Sequence, residues 1–176
     1  MKKYDNSSIS ALKGADRVRK RPAVIFGSDG VEGCKHSMFE ILSNSIDEAR
    51  EGFGSTITVT RYADMSIEVE DFGRGIPVDY NEKEKRYNWE LVFCELYAGG
   101  KYNNNDGGDY EYSLGLNGLG ACATQYSSEY MDVEILRDGF KFNLHFEHGK
   151  NVGGLGKTEF RHRHTGTKIH WKPDLK

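Results

Sequence analysis

Apolar residues recur at helical intervals between residues 34 and 50. Met38, Leu42, Ile46 and Ala49 lie three or four positions apart, with polar and charged residues between them. This spacing puts the four side chains on one side of an α-helix. It therefore predicts an amphipathic helix that packs against a core through that stripe.

Alternating apolar and polar residues mark three further segments. Residues 55–73 alternate on both sides of the sequence YADM, which predicts two strands joined by a turn at residues 62–65. Residues 131–149 alternate around Asp138 and Gly139, a pair typical of a two-residue hairpin turn. Residues 165–173 predict a last strand.

The remaining segments complete an α+β pattern. Residues 1–10 are polar and predict an arm, and residues 8–27 predict a short helix stopped at Pro22 and then a buried extended piece. Residues 88–98 predict a second helix, ended by Gly99 and Gly100. A long loop follows at residues 102–120, and a third helix continues from its end. We expect a two-layer sandwich, with a mixed, mostly antiparallel sheet and helices on one face.

Composition limits the classes of function. The 176 residues suit one domain with its own core. The net charge of −3 argues against a nucleic-acid clamp formed by this chain alone. The sequence has neither an apolar run of membrane-spanning length nor a secretory signal. Its three scattered cysteines are typical of a reducing compartment, so we expect a cytoplasmic protein without membrane contact.

One polar face of the helix at residues 34–50 is a candidate for chemistry. Glu40, Asn44, and Asp47 with Glu48 follow one another at helical spacing and share one side. Asn is a poor helix-interior residue, while a carboxylate one turn from an amide oxygen suits Mg²⁺ and a positioned water. The alternative is an ordinary solvated face, and spacing alone leaves both open.

A second candidate is the loop DFGRGIP, which follows a predicted strand. Gly73 and Gly75 flank Arg74 and allow a flat ligand to approach the backbone. Asp71, at the strand end, can accept a hydrogen bond from an exocyclic amine such as that of adenine. A plain Asp-Gly loop is the alternative. Protein kinases also contain DFG, but their other motifs are absent here.

A third candidate is LGLNGLGA, residues 114–121, with glycines spaced G-x-x-G-x-G. This is not the dinucleotide fingerprint G-x-G-x-x-G. It still provides a run of backbone N–H groups that leads into a helix start, and such a run binds phosphate. Taken alone, the motif identifies no ligand.

Two other patterns resemble known binding motifs but lack residues that those motifs require. Gly156, Lys157 and Thr158 resemble the end of a P-loop, but Asn151 stands where the first glycine is required and a strand-like segment follows. The histidines at residues 145, 148, 162 and 164 lack the HExxH arrangement or cysteine partners of a zinc site.

The three candidate motifs occur in the order E-x-x-x-N, D-x-G-x-G and G-x-x-G-x-G. This order resembles the GHKL ATPase superfamily, which shares the Bergerat nucleotide-binding fold. FEILSNSIDEA, DFGRGIP, YAGGKY, GLNGLG and TGTKIHWKPD, with the segment at residues 4–27, are similar to the ATPase domain of bacterial type II DNA topoisomerases, namely DNA gyrase B and its topoisomerase IV counterpart. The resemblance spans nearly the whole chain, and its N-terminal and TGT segments are specific to topoisomerases.

The resemblance implies binding and hydrolysis of ATP with Mg²⁺. Glu40 would be the general base that activates water against the γ-phosphate, and Asn44 would coordinate Mg²⁺. Asp71 would bind the adenine amino group, with Thr167 supporting it through a shared water.

The same resemblance implies further contacts to the nucleotide. The adenine pocket would be bounded by Gly75, Ile76 and Pro77, by Arg74 paired with Glu48, and by Arg137 over its mouth. Phosphate would be held by Lys101 and by the backbone of Gly115, Leu116, Asn117, Gly118, Leu119, Gly120 and Ala121. Tyr110 would lie in a lid, and Tyr4 would reach the nucleotide of a partner subunit.

Partners and boundaries also follow from the resemblance. Nucleotide binding would close the loop, exchange the arm at residues 1–10 and dimerise two copies. The full-length protein would act on DNA with a cleavage subunit similar to gyrase A. We expect residues 1–176 to be an N-terminal ATPase domain that is cut short before its end and before the transducer domain with its phosphate-contacting lysine. Such a fragment would show little or no turnover alone.

Two departures and two alternatives accompany this interpretation. Asn117 stands where bacterial members usually have His, and AVIFG replaces the usual GMYIG. The chain could instead be an ATP-binding module without turnover, or another GHKL ATPase, similar to Hsp90 or MutL. The segments LKGADRVRKRP and TGTKIHW argue against the second alternative.

Overall fold

The computed structural model of the protein describes residues 14–20, 22–28, 30–95 and 120–175. Its helices are Ala15–Lys20 (α1), Pro22–Phe26 (α2), Val31–Arg50 (α3), Asn88–Phe93 (α4) and Gly120–Tyr126 (α5). Its strands are Ile57–Arg61 (β1), Ile67–Asp71 (β2), Tyr80–Asn81 (β3), Arg86–Tyr87 (β4), Ser128–Arg137 (β5), Phe140–Glu147 (β6), Lys150–Glu159 (β7) and Gly166–Pro173 (β8).

Six strands form one sheet in the order β1-β2-β8-β5-β6-β7, and β3 pairs with β4 in a separate ribbon. Every pairing among the described strands is antiparallel. The predicted α+β sandwich with a mostly antiparallel sheet is therefore confirmed. The strand pair at residues 55–73 is confirmed too, with Ile57 opposite Asp71.

The core lies between the sheet and the helices. The neighbouring strands β5 and β6 bury alternate residues, namely Met131, Val133, Ile135, Phe142, Leu144 and Phe146. Ile41 of α3 and Phe93 of α4 pack against them. Because side chains of a strand alternate between faces, Asp132 and Asn143 are left exposed on the opposite face of the sheet.

The hairpin between β5 and β6 forms at the predicted residues. Asp138 and Gly139 have φ angles of 55° and 79°. Two consecutive positive φ angles are those of a type I′ turn, which matches the twist of the two strands. The last predicted strand is also present, as β8.

The buried face of α3 matches the predicted stripe only in part. Met38, Leu42, Ile46 and Ala49 are half-buried, and Met38 and Leu42 pack against the core as predicted. The fully buried positions are Gly33, Ser37, Ile41, Ser43, Ser45 and Asp47. Small residues allow α3 to approach its neighbours closely, and the hydroxyls of Ser37 and Ser43 donate to backbone oxygens of their own helix. The hydrophobic pattern therefore predicted the helix and part of its packed side, and it missed the small and polar residues that are buried most deeply.

Two predicted segments end differently. The extended piece expected after Pro22 is wrong, because Pro22 begins helix α2; proline is tolerated at a first helical position, where its missing N–H has no partner anyway. The predicted helix at residues 88–98 ends at Phe93. Two side chains of α5 form hydrogen bonds with backbone carbonyls at that end. Gln125 Nε2 donates to Phe93 O, and the Tyr126 hydroxyl donates to Cys94 O.

The strand β7 was not predicted, because its glycines mask any alternation. Gly156, Lys157 and Thr158 lie inside it, paired with β6. Lys157 Nζ lies 2.6 Å from an Asp79 oxygen and above the Phe140 ring. A strand in this place agrees with the rejection of a P-loop, which requires a helix there. Among the described residues, no helix is long and apolar enough to span a membrane.

Candidate functional site

Asp71 is the fixed centre of the site. It is the last residue of β2, and its side chain is buried. Oδ1 accepts hydrogen bonds from the backbone N–H of Gly73 at 3.0 Å and of Thr167 at 3.2 Å, while Oδ2 accepts one from the Ser45 hydroxyl at 2.7 Å. A carboxylate offers about four acceptor positions, so Oδ2 keeps one for a ligand donor.

The polar face of α3 borders the same region. A Cβ atom on Gly120, at the start of α5, would lie 2.6 Å from Glu40 Oε2. A Cβ atom on Gly73 would lie 3.0 Å from Glu48 Oε2. The two ends of the face therefore touch the two glycine-containing motifs, and Asn44 lies between them on the helix. Three motifs that are far apart in sequence meet here.

The side chain of Asn44 is available to a ligand. It is half-buried, and it makes no hydrogen bond within the part of the chain that the structure describes. A neutral amide oxygen is a ligand that a hard cation such as Mg²⁺ accepts. The residues present therefore fit the metal that the sequence predicts at Asn44.

Glu40 has a neighbour that the sequence analysis missed. His36 Nε2 lies 3.2 Å from Glu40 Oε1, one helical turn earlier in α3. The His36 ring also meets Phe26 edge-on, with centroids 6.1 Å apart. The i, i+4 spacing of these two residues in the sequence could have revealed the pair.

Arg74 is held by α3. Its Nε and Nη2 atoms donate to Glu48 at 3.1 and 2.6 Å, and Nη2 also donates to Glu51 at 2.7 Å. The hydrogen bonding of Arg74 to the Glu48 carboxylate is the largest cause of the raised pKa of Arg74. The guanidinium lies 4.1 Å from the Phe53 ring centroid. The expected pairing with Glu48 is present, and these contacts fix the loop to the helix.

The loop after Asp71 is held just as closely on its other side. Gly75 has a φ angle of 82°, and a Cβ atom there would lie 3.0 Å from Ile135 Cγ2 and 3.1 Å from Leu136 O. Arg137 Nη1 donates to Gly75 O at 2.7 Å, and Ile76 N donates to the Thr167 hydroxyl oxygen at 3.0 Å. Only glycine fits both the backbone angle and the space.

The structure brings together most predicted site residues within its described part. These are Glu40, Asn44, Glu48, Asp71, Arg74, Gly75, Ile76, Arg137, Thr167, Gly120 and Ala121, with Pro77 exposed beside Ile76. The Ala121 side chain belongs to the core, so only its backbone can face a ligand. The other predicted residues, Tyr4, Lys101, Tyr110, Gly115, Leu116, Asn117, Gly118 and Leu119, lie outside the described residues.

Ser45 is the second functional neighbour that sequence reasoning missed. It follows Asn44 directly, yet its side chain points to Asp71 rather than to the polar face. A buried serine hydroxyl needs a hydrogen-bond partner, so its burial indicates that a polar group lies opposite. That partner is the carboxylate at the centre of the site.

Other cavities and charged groups lie away from this site. A cavity of 510 Å³ lies on the outer face of the sheet beside His145 and His170, and one of 390 Å³ lies between α1, α2 and the start of α3. His145 forms hydrogen bonds with Asp132 and Glu147 through its two ring nitrogens. The described residues contain no group of three or more His, Cys, Asp or Glu that could hold a metal ion.

Comparison with protein families and with curated proteins gives matches over most of the chain. The family described as histidine kinase-, DNA gyrase B- and HSP90-like ATPase matches residues 31–176. The DNA gyrase B protein of Thermotoga maritima is 42% identical over 99% of this chain and 27% of its own length. The DNA topoisomerase 4 B protein of Staphylococcus epidermidis is 42% identical over 97% of this chain and 25% of its own length.

A solved structure with a similar fold is also that of a topoisomerase domain. The topoisomerase IV ATP-binding domain of Francisella tularensis, in complex with a small-molecule inhibitor, superposes with a TM-score of 0.73 and 35% sequence identity. The match covers 93% of this chain and 42% of that one. The chain thus spans about a quarter of the length of its curated relatives.

Proposed function

The chain belongs to the family of histidine kinase-, DNA gyrase B- and HSP90-like ATPases, and from that premise we propose that it binds Mg-ATP between α3 and residues 71–77 and hydrolyses it. It is homologous to the ATP-binding domains of gyrase B and topoisomerase IV B. That similarity favours a topoisomerase domain over an Hsp90-like or MutL-like one.

The free acceptor position of Asp71 is the observation that carries the proposal. Three protein donors fix the carboxylate, and the remaining position on Oδ2 accepts the exocyclic amine of adenine. Guanine presents a carbonyl oxygen at that place, so two acceptors would face each other. Thr167 supports the base from the other side through its hydroxyl, by way of a shared water, and Gly75, Ile76 and Pro77 bound the ring.

Asn44 provides the oxygen ligand for Mg²⁺, which neutralises phosphate charge when it is bound. Arg74 and Arg137 keep their contacts to the protein and hold the adenine loop in shape. The backbone N–H groups from Gly115 to Ala121, together with Lys101, hold the phosphates. Phosphoryl transfer depends mainly on such positioning and charge stabilisation.

Glu40 acts as the general base for the attacking water. Its carboxylate lies one turn before Asn44, so a water between them reaches both the base and the phosphate end of the nucleotide. His36, 3.2 Å from Glu40 Oε1, orients the carboxylate. His36 is a positioning residue in this scheme, since it acts through Glu40.

The whole protein is proposed as a bacterial type II topoisomerase that works in the cytoplasm. Residues 1–176 belong to its ATPase domain, and residues 1–10 are an arm that exchanges between two copies when ATP binds. Tyr4 of that arm reaches the partner's nucleotide, and Tyr110 belongs to a lid. Dimerisation then drives passage of DNA, together with a cleavage subunit similar to gyrase A.

ATP binding and ATP turnover, measured side by side, test the proposal. Glu40→Gln removes the base but keeps size and hydrogen bonding, so it is expected to bind ATP like the parent chain and to lose hydrolysis. Glu32→Gln, at an exposed carboxylate of the same helix that pairs with Lys35, is the matched control. Loss of ATP binding in Glu40→Gln would contradict the role of base. Because residues 1–176 alone are expected to show little or no turnover, hydrolysis is compared in the full-length protein that carries the same substitutions.

A further inference from the structure

The loop between β7 and β8, residues 160–165, carries a local positive charge in an acidic chain. Residues 160–165 include two permanent cations and no carboxylate, while the whole chain has a net charge of −3. Arg161 and Arg163 are exposed, and the adjacent Phe160 side chain is 43% exposed. None of these residues has a part in the nucleotide site.

Backbone and side-chain contacts fix the shape of the 160–165 loop. Phe160 N donates to Gly139 O at 2.9 Å, and Gly139 N donates to His162 Nε2 at 2.9 Å. At the far end, the Thr165 hydroxyl donates to Gly73 O at 2.5 Å. His162 thus faces the protein, and the two arginines on either side of it face solvent. The cations are presented by a held loop, which reduces the entropy lost on binding.

The two arginines of the loop differ from most other described arginines. Arg19, Arg74, Arg86 and Arg137 each make an ion pair with a carboxylate. In contrast, Arg161 and Arg163 have no carboxylate partner within the described residues. Their charge is therefore not neutralised by the protein and is available to an anion.

Neighbouring groups extend the patch. Lys141 Nζ lies 5.4 Å from the Phe160 ring centroid and 3.5 Å from Glu134 Oε2. The patch therefore combines three cations with an exposed aromatic ring. Guanidinium groups present flat forks of donors that match phosphate oxygens, so this chemistry fits a phosphate polymer better than isolated carboxylates.

We propose that the 160–165 loop is a contact surface for the phosphate backbone of duplex DNA, through Arg161 and Arg163. The choice of DNA among phosphate polymers rests on the proposed function, whereas the surface itself rests on charge and geometry. Phosphate contacts give affinity without sequence preference, and each releases counterions. DNA bound here would lie against the end of the sheet that carries the adenine loop.

Fluorescence anisotropy with a labelled duplex of about 30 base pairs tests the proposal. The double variant Arg161→Ala/Arg163→Ala is compared with Lys20→Ala/Arg61→Ala, which loses the same charge. Lys20 and Arg61 are exposed and lie toward the opposite end of the sheet. Arg61 pairs with Ile67, at the end of β2 away from Asp71. Lys20 follows Arg19, whose guanidinium donates to Ser128 O at the start of β5. Thermal melting and ATP binding of each variant are measured in parallel.

The parent chain is expected to bind the duplex with an affinity that falls as salt rises. Removing two phosphate contacts lowers the slope of log K against log salt by about 1.8 and weakens binding about tenfold at low salt. The control double variant keeps the slope, and both double variants keep ATP binding. A separate loss of ATP binding would concern the nucleotide site and not this surface.

Several results would overturn the proposal. One is an absence of duplex binding by the parent chain at low salt, and another is an equal loss in the two double variants. Binding to vesicles rich in anionic lipid, or to single-stranded RNA, that exceeds binding to the duplex would assign the loop to a different partner.

Discussion

Replacing Asp71 by Asn changes one oxygen of the central carboxylate into an NH₂ group and leaves its shape. The hydrogen bonds decide how the amide is oriented. Oδ1 accepts from two backbone N–H groups, which cannot reverse, so the amide oxygen must stay on that side. The NH₂ group then takes the place of Oδ2, where the Ser45 hydroxyl can turn and accept instead of donating.

The cost to folding is therefore modest, and the cost to adenine binding is large. Weakening two charge-assisted hydrogen bonds costs about 1–2 kcal/mol, which lowers Tm by roughly 2–8 °C for a chain of this size. In the adenine pocket, a donor now faces the donor amine of the base. The lost bond and the unpaired donors together cost about 3 kcal/mol or more, a weakening of ATP binding by at least about a hundredfold.

Calorimetric titration with ATP and Mg²⁺, beside a thermal melt, measures both effects. Asp64→Asn is the matched control, because Asp64 also accepts hydrogen bonds from a backbone N–H and a serine hydroxyl, both of Ser66, in an exposed turn. We expect ATP affinity to be unchanged in the control. Unchanged affinity in Asp71→Asn, or an equal loss in both variants, would refute the reasoning.

Four further predictions follow from single contacts. Asn44→Ala should remove the dependence of ATP affinity on Mg²⁺, measured by titration with and without the metal, and leave Tm within about 1 °C. Gly166→Ala should unfold the chain or lower Tm strongly, because the new Cβ would lie 2.2 Å from Asp71 O. Burial raises the pKa of the Cys122 thiol to about 12, so a thiol reagent at pH 8 should modify it only after unfolding. Hydrogen bonds to Glu147 and then Asp132 raise the pKa of His145. The stabilisation that protonated His145 gives the fold is full below the unfolded pKa of about 6.5 and is lost as pH rises through the folded pKa. The difference in Tm between the parent chain and His145→Gln should therefore shrink over that range. A difference that stays constant with pH would contradict the assignment.

Local patterns in the sequence predicted those parts of the fold that depend on local chemistry. The Asp138-Gly139 turn, the paired strands at residues 55–73 and the long helix all follow from spacing and turn residues. The helix at Pro22 and the strand β7 do not. Pro22 is compatible with a helix start as well as a helix stop, and the glycines of β7 carry no side chains whose alternation could indicate a strand.

The candidate site shows the same division. Glu40, Asn44 and Asp71 were predicted from their positions at a helix face and a strand end. Ser45 and His36 were not, because their roles depend on which side of α3 is buried. That side is chosen by small residues that allow close packing, whereas a hydrophobic pattern detects only large apolar ones.

A calorimetric titration of the parent chain with ATP, in the presence and absence of Mg²⁺, tests the central claim most directly. We predict one saturable site per chain whose affinity for ATP exceeds that for GTP and increases with Mg²⁺. A chain that stays folded and gives no saturable binding up to millimolar ATP with Mg²⁺ would contradict it.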